Sequence, residues 1–260
     1  MKVRLISNPI IIIISLFAFF FNGCKEESDV PGTASIKISM VDAPGDFDSV
    51  IIDVEDVLIN LSGSGSDWES MDGVKPGSYD LLKLTNGNEW ILGETELPSG
   101  NLSQIRLLLG SGNRLYIEDS AIYLPVPSAN RSGLKINIQE SLEGDKSYKL
   151  ILDFDVDKSI VRLGNGDFQL KPVIRGKLES KSGAIKGRIL PESNLYRIYA
   201  IRGIDTLNTH SNVNGEFLLR ALDPGIYDLI IPNDSGIDLS IEEISIRAGE
   251  VKDLGDLRML

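Results

Sequence analysis

The sequence is poor in the residues that do chemistry. One cysteine and one histidine stand among 260 residues. No intrachain disulfide can form, and no Cys/His cluster can hold a metal ion. No GxSxG, HExxH or Walker-type glycine loop occurs, which removes the usual signatures of serine hydrolases, zinc peptidases and nucleotide-binding proteins. Positive charge is also scarce: 26 Lys and Arg face 38 Asp and Glu, a net charge of -12. Such a surface does not neutralise phosphates, so nucleic acid is excluded as a partner. Long hydrophobic runs are missing except at the amino terminus, where "IIIIISLFAFFF" spans Ile10 to Phe21. That run falls short of the ~20 residues a membrane-spanning helix needs.

What the amino terminus does contain is ordered. Lys2 and Arg4, the apolar run, Gly23 and then Cys24 have the layout of a secretory signal peptide over residues 1–23. Read by composition alone, Cys24 is either a spare thiol at the cut site or a modified residue, and an oxidising compartment makes the first a liability. The stretch "FNGC" resembles a bacterial lipobox. That resemblance implies acylation of Cys24, with each buried CH₂ of a palmitate-like chain contributing ~0.8 kcal/mol of anchoring. Lys25, Glu26 and Glu27 follow, similar to the export signal that sends Bacteroidota lipoproteins to the outer face of the outer membrane; the plainer alternative is a solvated tether over residues 24–32.

Beyond the tether the pattern is alternation. Ile36, Ile38 and Met40 point one way, as do Ile136 and Ile138, and Tyr148, Leu150, Leu152, Phe154 and Val156. This predicts half-buried strands with polar outer faces, as in antiparallel sheets. In "SVIIDVEDVLINL" the apolar parity shifts after Val54, which predicts a bulge near Glu55 and Asp56. Gly/Asn turns recur between the runs, and "ESKSGA" at 179–184 marks a composition break. The expected fold is all-β: two consecutive β-sandwich domains, Ig-like or transthyretin-like, over residues 33–180 and 183–260, without a long amphipathic helix.

Two family resemblances refine this. "SMVDAPGDFDSVIIDVEDVLIN", "SQIRLLLG", "LPVPSANRSGLKINI" and "YKLILDFDVDKSIVRLGNGDFQLKPVIR" together resemble domain of unknown function 4382, a domain of surface-associated lipoproteins. "GAIKGRILP", "NVNGEFLLRALDPGIYDLII" and "SIRAGEVKDLGDLRM" resemble carboxypeptidase regulatory-like domains, which implies a seven-stranded transthyretin-like sandwich serving as spacer or accessory binding module.

The residues that could carry chemistry are few. His210 has no cysteine to pair with and is read as structural, at a polar hairpin rim. Asp42, Asp46 and Asp48 in "DAPGDFD" are candidate oxygen ligands for Ca²⁺, although Pro44 and Gly45 explain the loop as a strand connection. Asp153, Asp155 and Asp157 fall on one face of a strand, about 6.8 Å apart, too far to share an ion, and read as a solvated acidic face partly paired across strands. Trp68 and Trp90 are candidates for sugar stacking, the first at a strand edge and the second equally suited to the core. Ser49, Ser120 and Thr206 lie in Asp-Ser/Thr-apolar triplets that look like O-glycosylation sites of Bacteroidota exports, with Ser120 and Thr206 the better placed.

These observations point to a non-catalytic lipoprotein, membrane-anchored and facing the cell exterior, with a binding or structural role toward a glycan or a surface protein. The alternative is an accessory subunit or divergent member of a glycan-degrading system, which needs two carboxylates converging in a cleft.

Overall fold

The computed structural model describes residues 32–43, 47–61, 68–84, 87–127, 133–192, 195–233 and 236–259. The strands come in chain order. The first thirteen are β1 (Thr33–Ala43), β2 (Ser49–Leu61), β3 (Glu69–Ser70), β4 (Gly77–Asp80), β5 (Trp90–Pro98), β6 (Gly100–Leu109), β7 (Arg114–Ile117), β8 (Ser120–Tyr123), β9 (Leu134–Leu142), β10 (Ser147–Asp155), β11 (Ile160–Arg162), β12 (Phe168–Leu170) and β13 (Ile174–Leu178). A 3₁₀ turn at Leu81–Lys83 and one α-helical turn, α1 (Val156–Ser159), interrupt them. Then follow β14 (Gly183–Leu190), β15 (Arg197–Arg202), β16 (Asp205–His210), β17 (Glu216–Leu222), β18 (Gly225–Ile231), β19 (Leu239–Ile246) and β20 (Val251–Arg258). The fold is all-β, and Pro31–Leu260 forms one compact unit.

Two apolar clusters organise it. In the first, a four-stranded sheet ordered β13-β10-β1-β5 faces a larger sheet ordered β8-β7-β2-β6-β9, with β3 and β4 on the other edge of β2. Ile36, Ile38 and Met40 of β1 and Leu150, Leu152 and Phe154 of β10 are all fully buried against Ile52, Ile105 and Leu107. Here the alternating pattern does what it predicts. β1 and β10 nevertheless run parallel, in register from Ser35↔Ser147 to Ala43↔Asp155, so the four-stranded sheet is mixed, while the pairings of the larger sheet are all antiparallel.

The parity shift in β2 is a bulge. Its register with β6 slips between Val54 and Asp56, which leaves Glu55 exposed and returns Val57 and Ile59 to the core. β6 and β7 meet the same edge of β2 end to end, and the "GSGN" segment fills the gap. Asp53 Oδ2 accepts the Gly112 N–H at 2.8 Å, and the Asn113 side chain accepts the Asp53 N–H at 2.9 Å while donating to the Gly110 carbonyl. Side chains thus satisfy backbone groups that the interrupted ladder leaves unpaired.

In the second cluster a three-stranded sheet, β17-β14-β20, faces a four-stranded one, β16-β15-β18-β19. Ile185, Ile189, Phe217 and Leu219 pack against Ile198, Ala200, Tyr227 and Leu229. The "NVNGE" and "LDPG" turns carry the chain between facing sheets instead of closing hairpins, because β16 and β18 lie in one sheet and β17 in the other. Gly215 in the first turn has φ +75°, and a Cβ there would stand 2.1 Å from the Ile189 carbonyl oxygen. Only glycine fits that approach.

Candidate functional site

The distinguishing geometry lies where the two packed regions meet. The outward-facing positions of β1 and β10 should be polar and wet by simple alternation, yet Ser39, Val41, Ile151, Asp153 and Asp155 are all buried. β16 and β17, edge strands of the two facing sheets of the second region, lie against this face. Val41, Ile151 and Ala221 form a small apolar contact at its centre. Two edges that would otherwise expose unpaired backbone groups are covered in this way.

Ion pairs surround the apolar contact. On one side Glu89 Oε2 receives Lys149 Nζ at 2.8 Å and Arg220 Nη1 at 3.0 Å, while Lys149 also reaches Glu179 at 3.1 Å. Burial alone would push the Lys149 ammonium down, but Glu89 and Glu179 outweigh it and hold it above its ordinary value. On the other side Asp223 takes Lys177 at 2.6 Å and Arg202 at 3.2 Å. Partial burial pushes its carboxyl up; the two cations overcome that and hold it below the usual carboxylate range. Lys158 Nζ donates to the Thr206 carbonyl at 3.0 Å, and Arg197 approaches Asp157 at 3.5 Å.

The acidic run on β10 therefore differs from its expected solvated face. Asp153 and Asp155 are each only 5% exposed. Asp153 pairs with Arg175 of the neighbouring β13, and burial pushes its carboxyl up more than the guanidinium pulls it down. Asp155 ends the strand and caps α1, accepting the Lys158 N–H at 3.1 Å. Asp157 lies in α1, off the strand. The face is dry because β16 and β17 cover it, which the local sequence does not encode as polarity.

Two depressions flank the contact. The larger, about 680 Å³, runs between β9, β13 and the β15–β16 turn, and contains Lys135, Lys177, Arg202, Ile204 and Asp223. The other, about 530 Å³, is floored by Ile151, Ala184 and Ala221 and rimmed by Glu179 and Arg220.

Other expected residues fall elsewhere. His210 is not at a wet rim: it is 9% exposed at the end of β16, and its Nε2 accepts from Arg197 Nε at 3.1 Å. The Arg106 guanidinium stacks 4.1 Å from the Trp68 ring centroid, and Trp90, 42% exposed, meets Tyr79 edge-on at 5.5 Å. Asp46 lies outside the described residues; Asp42 is placed only through its backbone at the end of β1, in register with Phe154, and Asp48 is exposed. Among the described residues no group of three or more acidic, histidine or cysteine side chains is placed to hold a metal ion. Ser120 and Thr206 are both exposed, on β8 and β16. Cys24, Lys25, Glu26 and Glu27 lie outside the described residues. No helix among the described residues is long and apolar enough to cross a membrane.

The family model described as "Domain of unknown function (DUF4382)" matches residues 33–172, more than half of the chain. The chain belongs to the DUF4382 family. The DUF4382 match stops just short of β13, the edge strand that completes the first sheet and supplies Arg175 and Lys177. No curated protein matches the sequence. Solved structures similar to this DUF4382 protein include a type II cohesin–X-dockerin complex from Acetivibrio cellulolyticus (18% identity, 28% of this chain and 52% of that one, TM-score 0.24). The Bacillus anthracis TIE protein aligns at 9% identity over 87% of this chain and 34% of its own, TM-score 0.24. A C-terminally truncated tip fimbrial protein from Porphyromonas gingivalis aligns at 9% identity over 82% of each chain, TM-score 0.21. This chain thus spans about half of the first and a third of the second, and scores of this size establish neither a shared architecture nor a shared role.

Proposed function

We propose that this DUF4382 protein is a non-catalytic lipoprotein of the cell envelope, acylated at Cys24 and exposing its folded part on a short tether to bind a surface glycan or protein or to build surface structure. One observation carries the non-catalytic part. The buried ionisable groups are engaged in holding the fold together: Asp153 with Arg175, Asp155 as a helix cap, His210 with Arg197. In the larger cleft Asp223 is held ionised by two cations, the opposite of what a general acid for glycoside cleavage needs.

The amino-terminal sequence supports the anchor and Lys25, Glu26 and Glu27 support outward export from an outer membrane of the Bacteroidota type. The three-plus-four arrangement of β14 to β20 supports reading residues 183–260 as a carboxypeptidase regulatory-like, transthyretin-like domain after a first domain at 33–180. Exposure of Ser120 and Thr206 supports their use as glycan acceptors, and Asp42, Asp46 and Asp48 remain the proposed Ca²⁺ ligands. Protease added to intact cells tests the exposure: the folded part should be released or degraded without lysis. Full protection until lysis contradicts it.

A further inference from the structure

The larger cleft is lined by more cations than carboxylates, against the acidic balance of the chain as a whole. Lys135, Lys158, Arg175, Lys177 and Arg202 line it against Asp155, Asp205 and Asp223, and Arg175 is also paired with Asp153 behind the lining, so five cations meet four carboxylates in a chain of net charge -12. The internal pairs leave a surplus. Lys177 and Arg202 share the single Asp223, and Lys135, exposed on β9, makes no ion pair among the described residues. Apolar surface adjoins these cations: Ile204 is 100% exposed and Val173 37%. Tyr227, the one aromatic lining residue, is only 1% exposed, so the cleft offers no ring face on which a sugar could stack.

We infer that this cleft binds an extended acidic peptide segment of a partner protein. Carboxylates of the segment meet Lys135 and the rim formed by Lys177 and Arg202, and an apolar side chain covers Ile204. The inference rests on the non-catalytic binding role proposed above and names the chemistry of its partner. The volume of about 680 Å³ lies within the roughly 300–1,000 Å³ of ordinary ligand sites. At physiological ionic strength the Debye length is about 8 Å, so the acidic remainder of the surface is largely screened from a segment seated in the cleft.

Fluorescence anisotropy tests this with the full-length chain in detergent and a labelled Glu-Ile-Glu-Ile-Glu-Gly peptide. Saturable binding that weakens with added salt is expected, with no binding of the same peptide carrying Lys in place of Glu. Lys135→Glu should weaken binding about fivefold, the scale of one exposed ion pair, and Ile204→Ser should weaken it as well. Lys75→Glu, the same charge change outside the cleft, should leave it unaltered. The proposal is overturned if the acidic peptide fails to saturate, if Lys135→Glu and Lys75→Glu behave alike, or if a sulfated oligosaccharide binds where the peptide does not. Whole-cell proteolysis reads the envelope role independently, so a failed titration removes the peptide partner and leaves that role standing.

Discussion

Glu89 and Arg220 meet at 3.0 Å across the junction, from opposite packed regions of the chain, and the same carboxylate oxygen also accepts Lys149 at 2.8 Å. All three side chains are only 21–25% exposed, so water and salt screen them less than a surface pair. One carboxylate therefore bridges two cations, one of which, Lys149, also reaches Glu179. A double-mutant cycle with Glu89→Gln and Arg220→Gln should give a coupling energy of about 1–2 kcal/mol. Glu89→Gln should cost more than Arg220→Gln, because it removes the carboxylate partner of Arg220 and leaves Lys149 with Glu179 alone. Urea denaturation of the four proteins measures both quantities.

The apolar centre of the junction makes a separate prediction. Ile151 is 2% exposed against Val41 and Ala221. Ile151→Ala should lower stability by about 2–4 kcal/mol, and Ile151→Asp by more, since a charge would be buried without a partner. Were that face solvated, as alternation alone expects, either change would fall within about 0.5 kcal/mol.

The junction should also weaken at both ends of the pH scale. Asp223 titrates below its ordinary value of 3.8 in the folded chain, so its contribution is complete above that pH and is lost as pH falls through the lower folded value. Lys149 titrates above its ordinary 10.5, so its contribution is complete below that pH and is lost as pH rises through the higher folded value. Asp223→Asn should thus cost about 1 kcal/mol at neutral pH and nothing in strong acid, measured by denaturation at several pH values.

Gly215→Ala should destabilise by about 2–4 kcal/mol, combining a left-handed backbone with a clash against fixed backbone at Ile189. Thermal unfolding followed by circular dichroism checks this. Gly164→Ala, at a glycine whose Cβ would meet nothing within 4 Å, provides the neutral comparison.

The all-β fold and the inward-facing residues of β1, β9 and β10 were legible because a sustained period of two admits one answer. The bulge at Glu55 was legible from a parity slip alone. The parallel pairing of β1 with β10 was not, since side-chain alternation is the same in either direction. The junction was hidden for another reason: it is made by residues distant in sequence, such as Glu89 with Arg220. Its one local sign was the consecutive apolar triplet Leu150, Ile151 and Leu152, which breaks alternation as a strand does when both faces are covered. His210 and Asp153 misled for a related reason: His210 lies in a polar stretch and Asp153 at an outward position of an alternating strand, and contacts distant in sequence bury both.

The central claim, an envelope protein held by its single cysteine, is tested most directly by intact-mass measurement of the protein purified from its own membranes. The account predicts a chain beginning at Cys24 and carrying a diacylglyceryl group, with Cys24→Ala abolishing both the lipid mass and detergent partitioning. A chain retaining residues 1–23, or one with an unmodified thiol at Cys24, would contradict it.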